Sequence, residues 1–191
     1  MDKKHMDKKE LILREARMLF AEKGYYGLGL TELLARCGIP KGSFYYYFPG
    51  GKIQLIQEVL ETSYRLMESG IRRRFMTAPS ALATFEAMAD SLAHGIETKG
   101  HYVSLLLSMI SIESVYLDER VHATCKRIYE DWQALYAQHF VRWGMSEEES
   151  VVKAQAVFSL IHCSMISSWI KQDPSDLLLA KRSLKLLIGD H

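Results

Sequence analysis

The residues with the most chemical content lie between Thr31 and Lys52, in the segment TELLARCGIPKGSFYYYFPGGK. Lys41 brings a cation to the start of a short helical stretch, where unpaired backbone N–H groups already favour phosphate. Gly42 lets a backbone approach a partner closely. Ser43 can donate to or accept from a base edge. Tyr45, Tyr46 and Tyr47 offer hydroxyls to phosphates and flat faces to sugars or thymine methyls. Phe44 and Phe48 are four apart, share a helix face and are the expected core positions. A helical hairpin with an aromatic core would explain those two phenylalanines. It does not explain three consecutive tyrosines, which cannot all face inward from one short helix.

These residues need elements to hold them. Leu11, Ile12, Ala16, Leu19 and Phe20 recur at helical spacing, so a helix is predicted over about 7–23, stopped by Gly24. Thr31 is the expected cap of a second helix that Gly38 ends. Ile39-Pro40 turns the chain into a third helix, Lys41 to Phe48, which Pro49-Gly50-Gly51 breaks. Two short helices joined by a tight turn describe a helix-turn-helix, whose second helix enters the major groove. Further helices are expected over 52–75, 80–99 and 102–114. Asp118 caps one to Trp143, and a Ser146/Glu149 capping box opens another to Gln172. After Asp173-Pro174-Ser175 a last helix runs to Ile188. The fold class is all-α with nine helices and no period-two strand pattern.

Composition sets the bounds. The 191 residues carry a formal net charge of +1, with 48% hydrophobic and 25% charged residues, which suits a packed core. The charge is uneven. Residues 1–75 hold 14 Lys+Arg against 9 Asp+Glu, and residues 76–191 hold 10 against 14. The front of the chain is therefore the part suited to an anionic partner. Cys37, Cys125 and Cys163 are too few and too scattered for a disulfide framework or a zinc site, which fits a reducing cytoplasm. The apolar runs Tyr102–Ile112 and Ala156–Ile170 are shorter than the roughly 20 residues of a spanning helix, so no membrane span is expected. The first ten residues, MDKKHMDKKE, are nearly a tandem repeat with no leader-type apolar run after them, and stay outside the fold reading.

Residues 9–60 resemble the DNA-binding domain of the TetR family of bacterial transcriptional repressors. The residues that carry the resemblance are Ala16, Leu19 and Phe20, then Gly24-Tyr25, Thr31, the run Lys41 to Phe48, and Lys52. Tyr47, the Pro49-Gly50-Gly51 turn and the phrase FPGGK resemble the LmrA/YxaF-like branch, which includes regulators of multidrug efflux genes. The resemblance implies roles. Thr31 would cap the second helix and touch a phosphate. Lys41, Gly42 and Ser43 would lie along base edges, and Tyr45, Tyr46 and Lys52 would hold phosphates. Pro40 and Tyr47 would be peripheral members of the same surface. Residues 1–51 would form the DNA-binding domain, 52–75 a connector, and 76–191 a ligand-binding and dimerisation domain.

Met88, Met109, Tyr129, Trp132, Tyr136, Phe158, His162, Met165 and Trp169 form the candidate ligand lining of that second domain. Tyr129, Trp132 and Tyr136 follow 3–4 spacing on one helix face. Such a stripe is more often packed core than ligand box, and a lone histidine in LIHCSMI is more often a satisfied core residue than a ligand. Thioethers and aromatic faces also suit an adaptable apolar pocket, and the TetR resemblance implies an inducer held there. His94 and His101 are seven apart, but Gly100 interrupts any shared helix face. No metal, cofactor or catalytic arrangement is legible.

Small residues at Ala156, Ser159, Ser164, Ser167 and Ser168, with the stripe Leu177, Ala180, Leu184 and Leu187, are the expected interface of a homodimer. The expected function is a repressor that leaves a palindromic operator when a small apolar or aromatic inducer binds. A DNA-binding regulator controlled by a partner protein is the first alternative, and a helical-bundle enzyme the second.

Overall fold

A computed structural model describes residues 7–98 and 103–189. Among them are nine α-helices and no strand. They are α1 (Lys8–Gly27), α2 (Leu30–Cys37), α3 (Lys41–Tyr47), α4 (Gly51–Thr77), α5 (Ala81–Glu97), α6 (Val103–Ser114), α7 (Glu119–Arg142), α8 (Glu147–Lys171) and α9 (Ser175–Ile188). The predicted break at Gly100 and His101, with the helix ends expected at Lys99 and Tyr102, lies outside the described residues.

Several ends follow the expected chemistry. Asp118 accepts from the Arg120 N–H at 2.9 Å at the head of α7. Ser146 accepts from the Glu149 N–H at 3.2 Å and opens α8. Ser80 does the same for α5 through Ala83, at 3.0 Å. Gly38 ends α2 in the left-handed region. One cap differs. Gly29, not Thr31, is the N-cap of α2, and Thr31 sits exposed inside the first turn. Its hydroxyl is therefore not the capping group. Gly24 breaks the helical backbone with φ +67° and ψ −177°, but a last turn of α1 continues to Gly27.

The described residues through 67, with those of 103–127, form one compact unit. Its core joins Ile12, Ala16, Leu19 and Phe20 of α1 to Leu33, Phe44, Phe48, Leu55, Ile56 and Val59, all buried. The described residues of 68–98 with those of 128–189 form the other unit. There α5, α8 and α9 pack together around Phe85, Ala89, Val157, Ile161, Leu177 and Leu184. Helices α4 and α7 each contribute to both units.

Helix α8 is long and apolar enough, by length and composition, to cross a membrane. Its Ala154, Val157, Phe158, Ile161 and Met165 are instead buried within its own unit, where the hydrophobic gain comes from protein neighbours. The late apolar stripe also has an internal partner. Leu184 is 0% exposed, and Leu177 and Ala180 are likewise buried, with only Leu187 of that stripe at the surface. These three cannot form an interface between copies. The exposed apolar residues of α8 and α9 are different ones: Ile170, Leu178, Leu179 and Leu186.

Candidate nucleic-acid interface

Helix α3 is short, so its orientation comes from its core face. Phe44 and Phe48 are fully buried, with ring centroids 5.3 Å apart. That anchor turns the rest of the helix outward. Tyr46 is 80% exposed, Tyr45 is exposed, Tyr47 and Ser43 are half-buried, and Lys41 and Gly42 are exposed. Pro40 is the N-cap, exposed and extended, and its carbonyl accepts from Ser43 N–H at 3.0 Å. The Lys41 ammonium stands 6.0 Å from the Tyr45 ring centroid, and Tyr46 meets Tyr47 edge-on at 5.0 Å. A Cβ added at Gly42 would meet nothing within 4 Å, and Gly42 has no positive φ. Neither packing nor backbone conformation calls for glycine there, so the bare backbone is open to an outside partner.

Lys52 stands apart from this surface. Its ammonium donates to the backbone carbonyls of Tyr25 and Leu28, the latter at 2.7 Å, and lies 4.2 Å from the Tyr25 ring centroid. Burial holds its pKa below the usual lysine value, and the nearby charge of Glu113 offsets only part of that. It ties the end of α1 to the start of α4. Sequence reasoning assigned it only to phosphate and missed this bond set, because carbonyl partners leave no pattern in side-chain types.

The candidate ligand residues are partly brought together. In the second unit, Tyr129 Oη and His162 Nε2 are 3.0 Å apart. Phe158 stacks on His162 with centroids at 5.2 Å and meets Trp132 edge-on at 5.1 Å. Tyr136 is fully buried against Phe85, and burial raises the pKa of its phenol. Met88 and Met165 are buried, and Trp169 is half-buried, in that same unit. Met109 is half-buried on α6 in the other unit, so the described contacts do not join it to the cluster.

Sequence reasoning also missed His139, Phe75 and Trp143. His139 and Trp143 continue the α7 face of Trp132 and Tyr136 at spacings of three and four, so the extended stripe was the available signal. His139 is buried with neither ring nitrogen hydrogen-bonded, and the Trp143 indole N–H is likewise unpartnered in the structure, while the Trp132 indole N–H lies close to the Tyr136 phenol. Burial pushes His162 below the ordinary histidine pKa. Among the described residues no group of three or more His, Cys, Asp or Glu is placed to hold a metal ion.

With this geometry in place, comparison with known proteins is specific. Residues 12–59 match the profile of the bacterial regulatory proteins of the tetR family. Residues 81–183 match that of the LmrA/YxaF-like transcriptional regulators' C-terminal domain. The chain is 24% identical over 182 residues to the HTH-type transcriptional regulator YxaF of Bacillus subtilis (strain 168), covering 95% of each chain. It is 27% identical over 172 residues to the HTH-type transcriptional regulator LmrA of the same organism, covering 90% of this chain and 92% of that one. In three dimensions it resembles the crystal structure of reduced E. coli NemR, with TM-score 0.84, 22% identity and coverage of 95% and 96%.

Proposed function

The chain belongs to the TetR family of bacterial transcriptional regulators, with a C-terminal domain of the LmrA/YxaF-like type, and from that premise we propose that it is a repressor released from its operator by a small, mostly apolar aromatic molecule. The observation that carries the DNA-reading half is α3. Its phenylalanines are buried while Lys41, the open Gly42, Ser43 and the tyrosines face outward. On this reading Lys41 and Gly42 follow the backbone and base edges, and Ser43 reads a base. Tyr45, Tyr46 and Thr31 take phosphates, with Pro40 and Tyr47 at the margin. Lys52 acts first as a structural tie and offers phosphate only its remaining N–H.

Two subunits are needed to read a palindrome, because two-fold protein symmetry mirrors two half-sites. The exposed Ile170, Leu178, Leu179 and Leu186 support a dimer built on α8 and α9. The aromatic cluster of Tyr129, Trp132, Tyr136, Phe158 and His162 supports an inducer that is flat, bulky and neutral. Helix α4 is continuous from Gly51 to Thr77 and contributes residues to both units. An inducer that prefers a conformation unable to span the operator would empty it, by as much as its affinity differs between the two states.

The test begins with selection of a duplex from a random pool. Fluorescence anisotropy then follows that duplex as planar aromatic compounds are added. Release at micromolar compound supports the reading. Selection of a duplex that no compound of this class releases would leave a DNA-binding regulator and remove the inducer.

A further inference from the structure

We infer that Glu113 is a positioning residue for the DNA-reading helices: with Lys52 it grips the backbone of Tyr25 at both ends, so that the setting of α1, α3 and α4 depends on where α6 stands. The inference rests on the operator-binding reading above and names how that surface is held and moved.

The geometry is local to the first unit. The Tyr25 N–H donates to Glu113 Oε2 at 2.7 Å. The Tyr25 carbonyl accepts from Lys52 Nζ, which also donates to the Leu28 carbonyl. One residue is therefore held by an anion from the end of α6 and by a cation from the first turn of α4. Hydrogen bonds with one ionised partner are about twice as strong as neutral ones. Lys52 follows the end of α3 by five residues, so fixing its head group also fixes where the DNA-reading helix ends.

Two further features fit a purpose-built contact. Gly24 has φ +67°, and a Cβ there would stand 2.6 Å from Glu113 Oε1. Any larger residue would push the carboxylate off the chain it grips. Glu113 also lies in the last turn of α6, where the helix dipole disfavours an anion. A carboxylate at that end weakens α6 unless something outside the helix takes its charge, and Tyr25 and Lys52 do so.

Helix α6 is also the helix of Met109, one turn before Glu113 on the same face. A displacement of α6 by about 1 Å would lengthen the 2.7 Å bond past hydrogen-bonding range. The end of α1 and the start of α4 would then lose their common anchor together.

The experiment uses the full chain and the duplex selected by the unmodified protein. Glu113→Gln keeps shape and an acceptor but removes the charge, and Glu113→Ala removes both. Operator affinity at two salt concentrations, the thermal midpoint and hydrogen exchange by segment are compared. The expected result is operator binding weaker by about ten-fold for Gln and more for Ala. The thermal midpoint should move by no more than a few degrees. Exchange should quicken over residues 24–28 and the first turn of α4 only. The salt slope should stay the same, because the residues that meet phosphate are all still present. Unchanged operator affinity in both variants overturns the inference while the operator reading stands. Loss of protection along the whole of α1 and α6 also overturns it, because Glu113 would then serve stability in general. If the unmodified chain selects no duplex, the operator reading falls and takes this inference with it.

Discussion

The imidazole of His139 lies flat on the ring of Phe75, with centroids 3.6 Å apart and 5° between the planes. Phe85 and Trp143 meet the same imidazole edge-on, and the residue is 2% exposed. A charged imidazolium would be desolvated there with no hydrogen-bond acceptor, and the positive charge of Arg142 adds to the penalty. The neutral form is held, and the pKa falls from 6.5 to about 4.

The consequence is an acid-sensitive unit. Between about pH 6.5 and 4 the unfolded chain binds a proton at His139 that the folded chain refuses. Stability is full above pH 6.5 and falls as pH drops, by on the order of 2–3 kcal/mol near pH 4 from this group. His139→Phe keeps the stack and removes the titration, so its thermal midpoint should fall less between pH 7 and 4.5. Parallel midpoint curves for the two proteins would show that His139 is not the sensing group.

Operator recognition should separate into two kinds of residue. Tyr46 is 80% exposed on α3, and Tyr46→Phe should weaken every duplex alike, because on the proposed reading its hydroxyl meets phosphate. Ser43 is half-buried beside Phe44, and on the proposed reading it meets a base edge. Ser43→Ala should change the ranking of operator variants by roughly 1–3 kcal/mol. Affinities measured across a panel of single-base variants decide the point, and a uniform loss for Ser43→Ala would remove it from base reading.

How much of this was legible depends on how far apart the interacting residues are. Helix order and the caps at Asp118 and Ser146 came from local patterns, because a cap acts within three residues. The aromatic face of α3 came from Phe44 and Phe48, four residues apart. Thr31 was misassigned as a cap because Gly29, two residues earlier, leaves the helix start to backbone geometry alone. The Glu113 contact with Tyr25 spans 88 residues and uses a backbone N–H, so no spacing of side-chain types announces it. Helix α9 carries leucines on two faces. Periodicity marks both without telling which one its own chain covers.

That ambiguity gives a test of the dimer. Leu184 is fully buried in its own chain, so Leu184→Glu places a charge inside the unit and should unfold it, at about 3 kcal/mol or more. Leu186 is 88% exposed. Leu186→Glu should leave the fold intact, with an unchanged circular dichroism spectrum. It should yield monomers with much weaker operator binding, because its charge would be desolvated across the interface. Sedimentation of the Leu186 variant as a stable dimer would place the interface elsewhere.

The inducer reading turns on Trp132, which is 5% exposed with Phe158 and Tyr136 against its ring and its indole N–H close to the Tyr136 phenol. Trp132→Ala would open a cavity costing about 3–5 kcal/mol, and every activity would fall together. Trp132→Phe is the informative change, because it keeps an aromatic ring in the cluster and deletes the N–H. That N–H offsets part of the rise that burial imposes on the Tyr136 phenol, so in the free protein its removal should cost about 1 kcal/mol or less. If an inducer bonds to that N–H, the same change should weaken it by about ten-fold, since a donor in a dry site contributes on the order of 1 kcal/mol or more. Operator affinity without inducer should not change. Titrating the operator complex with one releasing compound, for Trp132→Phe and the unmodified chain side by side, gives the comparison. Equal releasing concentrations would make Trp132 packing alone, while a selective loss of release in a protein with an unaltered melting midpoint would place the inducer against its indole.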